Sequence, residues 1–284
     1  MTVAVVTDSA AALPASLAQQ HDIAVVPMWL TVGGTSEPEG HRSLEELLQE
    51  PDVTTSAPTP GDFEAAIKEA SAAADGCVVI TIASSMSATF HAAIVAADAV
   101  GGPIRVVDSA SAGGAQALVV LAAAQAARKG ASLDEVEARA RAVIDRVRLI
   151  ASVPTLDHLV RSGRVPGVAG WAGRRLGINP LFEFRAGRVK RLRPALSRDA
   201  AMDRIVALVH KSRPVHEAVT DARLHVAALH ALAVDTANDL LERITAQEEP
   251  STAFVGEFGP VMVVHTGPGL AGVAWWWEQV PAGG

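Results

Sequence analysis

Short apolar runs alternate with helical stretches through the first half of the chain. Val3–Val6, Ala24–Val32, Val78–Ile82 and Ile104–Val107 are rich in β-branched and aliphatic residues, and polar or turn residues bound each one. Helical sequence lies between and after them, at Ala11–His21, after Ser43, from Thr59 to about Ala74, and at Thr89–Val100, Gly113–Lys129 and Leu133–Val147. Uninterrupted apolar runs predict strands buried on both faces. Their alternation with helices predicts a parallel sheet with helices on both sides. Ser43-Leu44-Glu45-Glu46, Thr59 followed by Pro60 and Asp62, and Ser132 followed by Asp134-Glu135 all have the pattern of helix starts. In each, a hydroxyl can accept from a free amide of the first turn, and acid residues suit its positive end. Gly33–Arg42, rich in glycine and acid, predicts a loop.

The pattern changes after Ile150–Thr155. Pro180–Phe184 and Val189–Leu192 flank the turn residues Arg185-Ala186-Gly187 and predict a hairpin. A helix over Arg198–Lys211, a strand over Leu224–Leu229, a helix over Asp235–Ala246 and strands over Thr252–Val255 and Val261–Val264 follow. Trp275-Trp276-Trp277 predicts a terminal strand that packs the tail. The expectation is an α/β domain over residues 1–150 and an α+β domain with a largely antiparallel sheet over 151–284, each with its own core.

Composition narrows the class. Of 284 residues, 49% are hydrophobic and 19% charged, as in a globular chain, and no run approaches a membrane span. The start, Met1-Thr2-Val3-Ala4, has no basic segment before its strand, so no signal peptide is expected. The single cysteine, Cys77, precludes an internal disulfide and points to a reducing, cytoplasmic setting, as a buried structural thiol. The net charge of −7 is uneven: residues 161–213 hold 13 Lys and Arg against Glu183, Asp199 and Asp203. Such a stretch suits an anionic partner or simply a solvated basic face.

The candidate chemistry sits at strand exits, where a parallel sheet places its ligands. Val3–Val6 opens into Thr7-Asp8-Ser9, Val78–Ile82 into Ala83-Ser84-Ser85-Met86-Ser87, Ile104–Val107 into Asp108-Ser109, and Val261–Val264 into His265-Thr266-Gly267-Pro268-Gly269. Asp-Ser pairs after strands are explained by helix capping alone, but can also line a pocket. Thr59 is explained as a cap, whereas the run Thr54-Thr55-Ser56 before it is not. The Ser84–Thr89 segment has neither the glycines and lysine of a phosphate loop nor a G-x-S-x-G elbow. None of the nine histidines falls in a metal-binding spacing. His225 and His230, five apart in a strand, face opposite sides. No metal and no cofactor are expected. Hydroxyls with one histidine can hold an anionic head group by neutral hydrogen bonds.

Taken in order, Thr7-Asp8-Ser9, Thr55-Ser56-Ala57-Pro58-Thr59, Ser84–Phe90, Val107-Asp108-Ser109, Leu156–Val165, Ile178-Asn179-Pro180 and His265–Gly269 resemble the motif series of the DegV family along nearly the whole chain. The resemblance implies a two-domain, non-enzymatic carrier that binds a long-chain fatty acid in a tunnel between its domains. It further implies that the carboxylate is presented to an ATP-dependent fatty acid kinase that makes the acyl phosphate. Carried onto this chain, the carboxylate site draws on Thr55 or Ser56, on Ser84 with Ser85 or Ser87 nearby, and on His265 with Thr266, and the resemblance does not fix which serine is in direct contact. Arg164, Arg174, Arg175 and Arg198 would form a docking face for the kinase, outside the tunnel. The chain departs from the family pattern at Ala88 and Phe90, where Gly and Tyr are common, at Asn179, often Lys, and near Leu196, often Arg. Two rivals remain: a stand-alone hydrolase or kinase using Ser84, Asp8 and His265, and a nucleic-acid-binding module using residues 161–213.

Overall fold

Helix and strand alternate from the first residues of the chain, as the apolar pattern requires. A computed structural model describes residues 2–50, 52–165, 168, 179–214 and 219–281. The first half runs β1 (Val3–Asp8), a single 3-10 turn (Ser9–Ala11), α1 (Ala15–Gln20), β2 (Ile23–Val26), β3 (Trp29–Val32), β4 (Thr35–Pro38) and α2 (Leu44–Leu48). It continues with β5 (Val53–Ser56), α3 (Pro60–Ala70), β6 (Gly76–Thr81), α4 (Thr89–Val100), β7 (Ile104–Asp108), α5 (Gly113–Arg128) and α6 (Leu133–Ile144). Strands β1, β2, β6 and β7 form a parallel sheet of order β2-β1-β6-β7. Every residue of β6 is buried, as its unbroken apolar run predicts. Phe63 and Ile67 of α3, with Ala92, Ala93 and Ala96 of α4, cover one face over Val6, Cys77 and Val79. Helices α5 and α6 cover the other, over Val5, Val78 and Ile80. Reciprocal capping boxes form at Ser43–Glu46, Thr59–Asp62 and Ser132–Glu135.

The single strand expected over Ala24–Val32 is in fact two. Pro27 has no amide to give to a ladder, and the chain breaks there. Ile23–Val26 joins the parallel sheet, whereas β3 joins a separate antiparallel sheet of order β4-β3-β5. The expected loop over residues 33–42 contains β4, reached by a Gly33-Gly34 turn with both residues at positive φ. Thr54-Thr55-Ser56, the hydroxyl run before the Thr59 cap, belongs to β5.

The second half contains β8 (Arg148–Ser152), α7 (Asp157–Ser162), β9 (Leu181–Arg185), β10 (Arg188–Arg191) and α8 (Arg198–Lys211). After these come β11 (Val219–His230), α9 (Val234–Thr245), β12 (Pro250–Glu257), α10 (Pro260–Thr266) and β13 (Ala271–Pro281). They build a six-stranded sheet of order β10-β9-β8-β13-β11-β12, antiparallel except between β11 and β12. The β9–β10 hairpin closes at Ala186-Gly187, both at positive φ. The tryptophan triplet lies on β13, an interior strand: Trp275 and Trp277 both donate to Ser212 Oγ, at 2.8 and 3.1 Å. Trp276 stacks on His225 at 4.4 Å from the opposite face. The strand expected over Val261–Val264 is a helix, α10. Periodicity cannot separate the two over so short a run, and the start Gly259-Pro260 is that of a helix.

Helix α5 joins the two larger sheets. It packs on β1 and β6 on one side and on β8, β11 and β13 on the other. Its first twelve residues, Gly113–Ala124, are all buried, which explains a helix apolar on every side. A Cβ on Gly114 would lie 2.8 Å from Ala227 Cβ and 2.9 Å from Leu229 Cδ2. Gly61 in α3 has room: its nearest neighbour would be Thr59 Oγ1 at 3.6 Å. Substituting alanine should therefore act in opposite directions at the two glycines. Gly114→Ala is expected to destabilise by about 1–3 kcal/mol through overpacking. Gly61→Ala is expected to be neutral or stabilising by up to about 1 kcal/mol. Thermal melts of both variants check the pair, and a Gly114→Ala melt equal to wild type would refute the packing account.

Candidate functional site

The exit of β6, the start of α5, strands β8–β10 and helix α10 enclose a cavity of about 300 Å³. Its wall is mostly apolar. Met28, Ile82 and Met86 come from the first half, and Leu149, Phe182, Phe184, Phe258 and Met262 from the second. Among the described residues, the polar groups on the wall are Thr55, Ser56, Ser87, Ser162, Arg164, His265 and Thr266.

Thr55, paired with Leu30 across the β3–β5 ladder, meets His265 in the last turn of α10. Thr55 Oγ1 and His265 Nε2 are 2.7 Å apart, so one donates to the other. Burial, reinforced by the nearby Arg164 guanidinium, holds the His265 imidazole down at about 4. It is neutral at ordinary pH, able to donate from one ring nitrogen and accept at the other. Ser87 Oγ lies 2.8 Å from Thr89 Oγ1. Thr266 Oγ1 donates to the Met262 carbonyl at 3.0 Å, so its proton is already used within the helix. Ser56 is exposed at the end of β5.

The structure thus gathers Thr55, Ser56, Ser87, His265 and Thr266 around one cavity and leaves Ser84 and Ser85 off its wall. Ser84 is exposed, and its amide donates to the Asp108 carboxylate. Ser85 Oγ donates to the Gly187 carbonyl at 2.8 Å, tying this loop to the β9–β10 hairpin. Of the hydroxyls in Ser84–Ser87, the third is the one on the wall.

Nor are Ser84, Asp8 and His265 assembled as a catalytic set. Asp8 is fully buried, and its carboxylate accepts from the Ala10 amide at 3.1 Å and the Ile82 amide at 2.8 Å. Burial still pushes its pKa up to about 6. Its work is to cap the turn after β1 and tie it to the exit of β6. Among the described residues no cluster of three His, Cys, Asp or Glu side chains could hold a metal ion. The Cys77 thiol is buried and pushed up to about 12, consistent with a structural role.

The arginines divide. Arg164, expected on an outer face, stands on the cavity wall, and its Nη1 donates to the Ser162 carbonyl at 2.7 Å. Arg198 is exposed in the first turn of α8 and off that wall. Arg174 and Arg175 lie outside the described residues, as does Trp171. The other aromatics of the basic stretch, Phe182 and Phe184, are buried in the sheet and unavailable to stack on bases. Sequence reasoning missed Ser162 and Arg164 as wall residues, although both lie in the quoted Leu156–Val165 motif. The phenylalanines gave no signal beyond being apolar.

Comparison with known proteins identifies this architecture. A family model described as "Uncharacterised protein, DegV family" matches residues 2–278. A DegV domain-containing protein of Mycobacterium tuberculosis is 37% identical over 279 residues, covering 96% of each chain. The structure of a fatty-acid-binding DegV family protein from Thermus thermophilus superposes with a TM-score of 0.88 at 28% identity, covering 98% of this chain and 100% of that one. DegV of Bacillus subtilis, described as a fatty acid binding protein, superposes with a TM-score of 0.82 at 27% identity over the same shares.

Two of the buried titrating groups, Asp8 and His265, should shift in opposite directions. Asp8 binds a proton more tightly in the fold than in the unfolded chain, so its contribution to stability falls as pH rises from about 4 to about 6. His265 binds one less tightly, so its contribution is lost as pH falls from 6.5 toward about 4. NMR titration of labelled protein is expected to give a midpoint near 6 for the Asp8 carboxyl and near 4 for the His265 imidazole. Midpoints at the ordinary values of 3.8 and 6.5 would mean that neither group is buried as described.

Proposed function

The chain belongs to the DegV family, and from that premise we propose that it binds one long-chain fatty acid and presents the carboxylate to a partner kinase. The observation that carries this reading is a cavity with a mostly apolar wall on which Thr55, His265 and Arg164 lie close together. The acyl tail lies against the methionines and phenylalanines, and the carboxylate reaches Thr55, Ser87 and His265. About ten buried CH₂ groups at roughly 0.8 kcal/mol each would supply most of the affinity. The head group needs only to have its hydrogen bonds satisfied.

A carboxylate held by hydroxyls and a neutral imidazole keeps its charge density available for attack on a phosphoryl group. The Arg164 guanidinium on the wall adds a positive field that favours the ionised form. In this reading the protein is a carrier, the kinase supplies ATP chemistry, and the exposed Arg198 of α8 offers it a docking contact. The Asn179 and Leu196 departures fall on the same half of the chain.

Organic extraction of purified protein followed by mass spectrometry is expected to release about one fatty acid per chain, one for the cavity that Thr55 and His265 line. No lipid, together with no uptake of added myristate, palmitate or stearate, would sink the reading. Ser87→Ala and Thr55→Val should each weaken head-group binding by about 0.5–1.5 kcal/mol, and more where a partner is left buried and unpaired. Acyl-phosphate formation with a cognate kinase should be the more sensitive assay, because tail burial masks part of the loss in affinity. Ser84→Ala, off the wall, should match wild type. For the docking face, Arg198→Glu should slow kinase association at low salt and flatten its salt dependence while leaving lipid content unchanged. Unchanged rates at low and high salt would reduce the basic stretch to a solvated surface.

A further inference from the structure

The small β4-β3-β5 sheet carries Thr55 yet shares no ladder with either larger sheet. Burial of Leu30 and Val32 attaches it to the core. Apolar contact is non-directional, so it does not fix how β5 registers against α10. Polar contacts must do that, and one of them joins three segments at once. The Glu39 amide donates to the Met28 carbonyl at 2.8 Å. Its carboxylate accepts from the Val261 amide, in the first turn of α10, at 2.8 Å. The other carboxylate oxygen accepts from Ser9 Oγ, which in turn accepts from the Met28 amide at 3.0 Å. Burial pushes the Glu39 carboxyl above the usual carboxylate range, and the hydrogen bonds from Ser9 and Val261 oppose that shift.

The site is built for the carboxylate. A Cβ on Gly259 would overlap Glu39 Oε1, although the Gly259 backbone is ordinary, with φ −64. The glycine is therefore needed for space. The hydrogen bonds hold both ends of one wall: Met28 leads into β3 and so to Thr55 on β5, while Val261 opens the helix that ends at His265.

We propose that Glu39 is a positioning residue, which sets the spacing of Thr55 and His265 by bridging Ser9 and Met28 to the first turn of α10. It touches neither hydroxyl nor imidazole of the head-group site and acts through the two elements that carry them. The proposal rests on the fatty-acid reading for its effect on ligand, and on geometry alone for its effect on His265.

The test follows release of a fluorescent fatty acid by stopped flow from the full chain, together with the His265 imidazole resonances in lipid-free protein. Glu39→Ala and Gly259→Ala are each expected to speed release about tenfold, the range in which loss of a buried charged acceptor falls. The double variant should be no faster than the faster single, because both remove one interaction. Glu39→Gln should stay within about threefold of wild type, since its amide can accept from Val261 and donate to Ser9 Oγ. The His265 resonances should shift in both Ala variants and be restored in Glu39→Gln. Wild-type release from Glu39→Ala and Gly259→Ala, or a Glu39→Gln that releases as fast as Glu39→Ala, would overturn the proposal. A wild-type chain that takes up no fatty acid would count against the ligand reading instead. His265 resonances, which need no ligand, would then decide the positioning role: unmoved in both Ala variants, they overturn it, and shifted with Gln rescue, they support it.

Discussion

For two sheets to close tightly on one helix, its side chains at the closest approaches must be small. Helix α5 meets this condition with Gly113, Gly114 and a run of alanines, and the rest of the structure follows from it. At Gly114 the approach is so close that a single methyl group would press on Ala227 and Leu229. The narrow helix brings the strand exits of the parallel sheet up against β8–β10 of the other sheet. Where α5 begins, Ala112 and Ile82 face Leu149, Ala151 and Phe182 across the cavity. Close packing along the helix and a cavity at its start are therefore parts of one arrangement.

Around that cavity, charge is handled in two different ways. Asp8 is a fully buried carboxylate and Glu39 a half-buried one, and each is held by backbone amides: Ala10 and Ile82 for one, Val261 for the other. Those bonds go to the ends of elements, where amides are otherwise unpaired, so the buried charge also fixes chain direction. On the cavity wall, His265 is uncharged and paired to Thr55, with the Arg164 guanidinium nearby. Arg164 is the fixed charge on the wall, and the Ser162 carbonyl takes one of its donors.

Most of the strands, the three capping boxes and the β9–β10 hairpin were legible in the sequence because each is a local signal: an apolar run, a hydroxyl three residues before an acid, a turn between two runs. The failures have physical reasons. Pro27 divides an apolar run that otherwise reads as one strand, and the Gly33-Gly34 turn that starts β4 was hidden in an acidic stretch. Helix α10 is one short apolar segment whose only helical marks are Gly259 and Pro260. Within Ser84–Ser87 the choice of serine depends on how the loop turns after β6, where Ser84 is drawn to Asp108 and Ser85 to Gly187. Neither contact leaves a trace in the sequence. Glu39 is of the same kind: its partners are Ser9 and Val261, the second 222 positions away.

That separation bears on how the site relates to stability. Thr55 and His265 lie 210 positions apart, and the cavity wall is drawn from the small sheet, the parallel sheet's exits and the six-stranded sheet. A ligand seated there touches elements that have no ladder in common. It binds the assembled chain and not the unfolded one, so it stabilises the whole by an amount that grows as RT ln(1 + [L]/Kd). For a tightly held lipid that increment reaches several kcal/mol, comparable with the net stability of an ordinary domain. Melting temperatures of preparations that carry lipid therefore report ligand and fold together. Substitutions at the head group and at Glu39 separate from plain packing defects only when the chains compared carry the same amount of lipid.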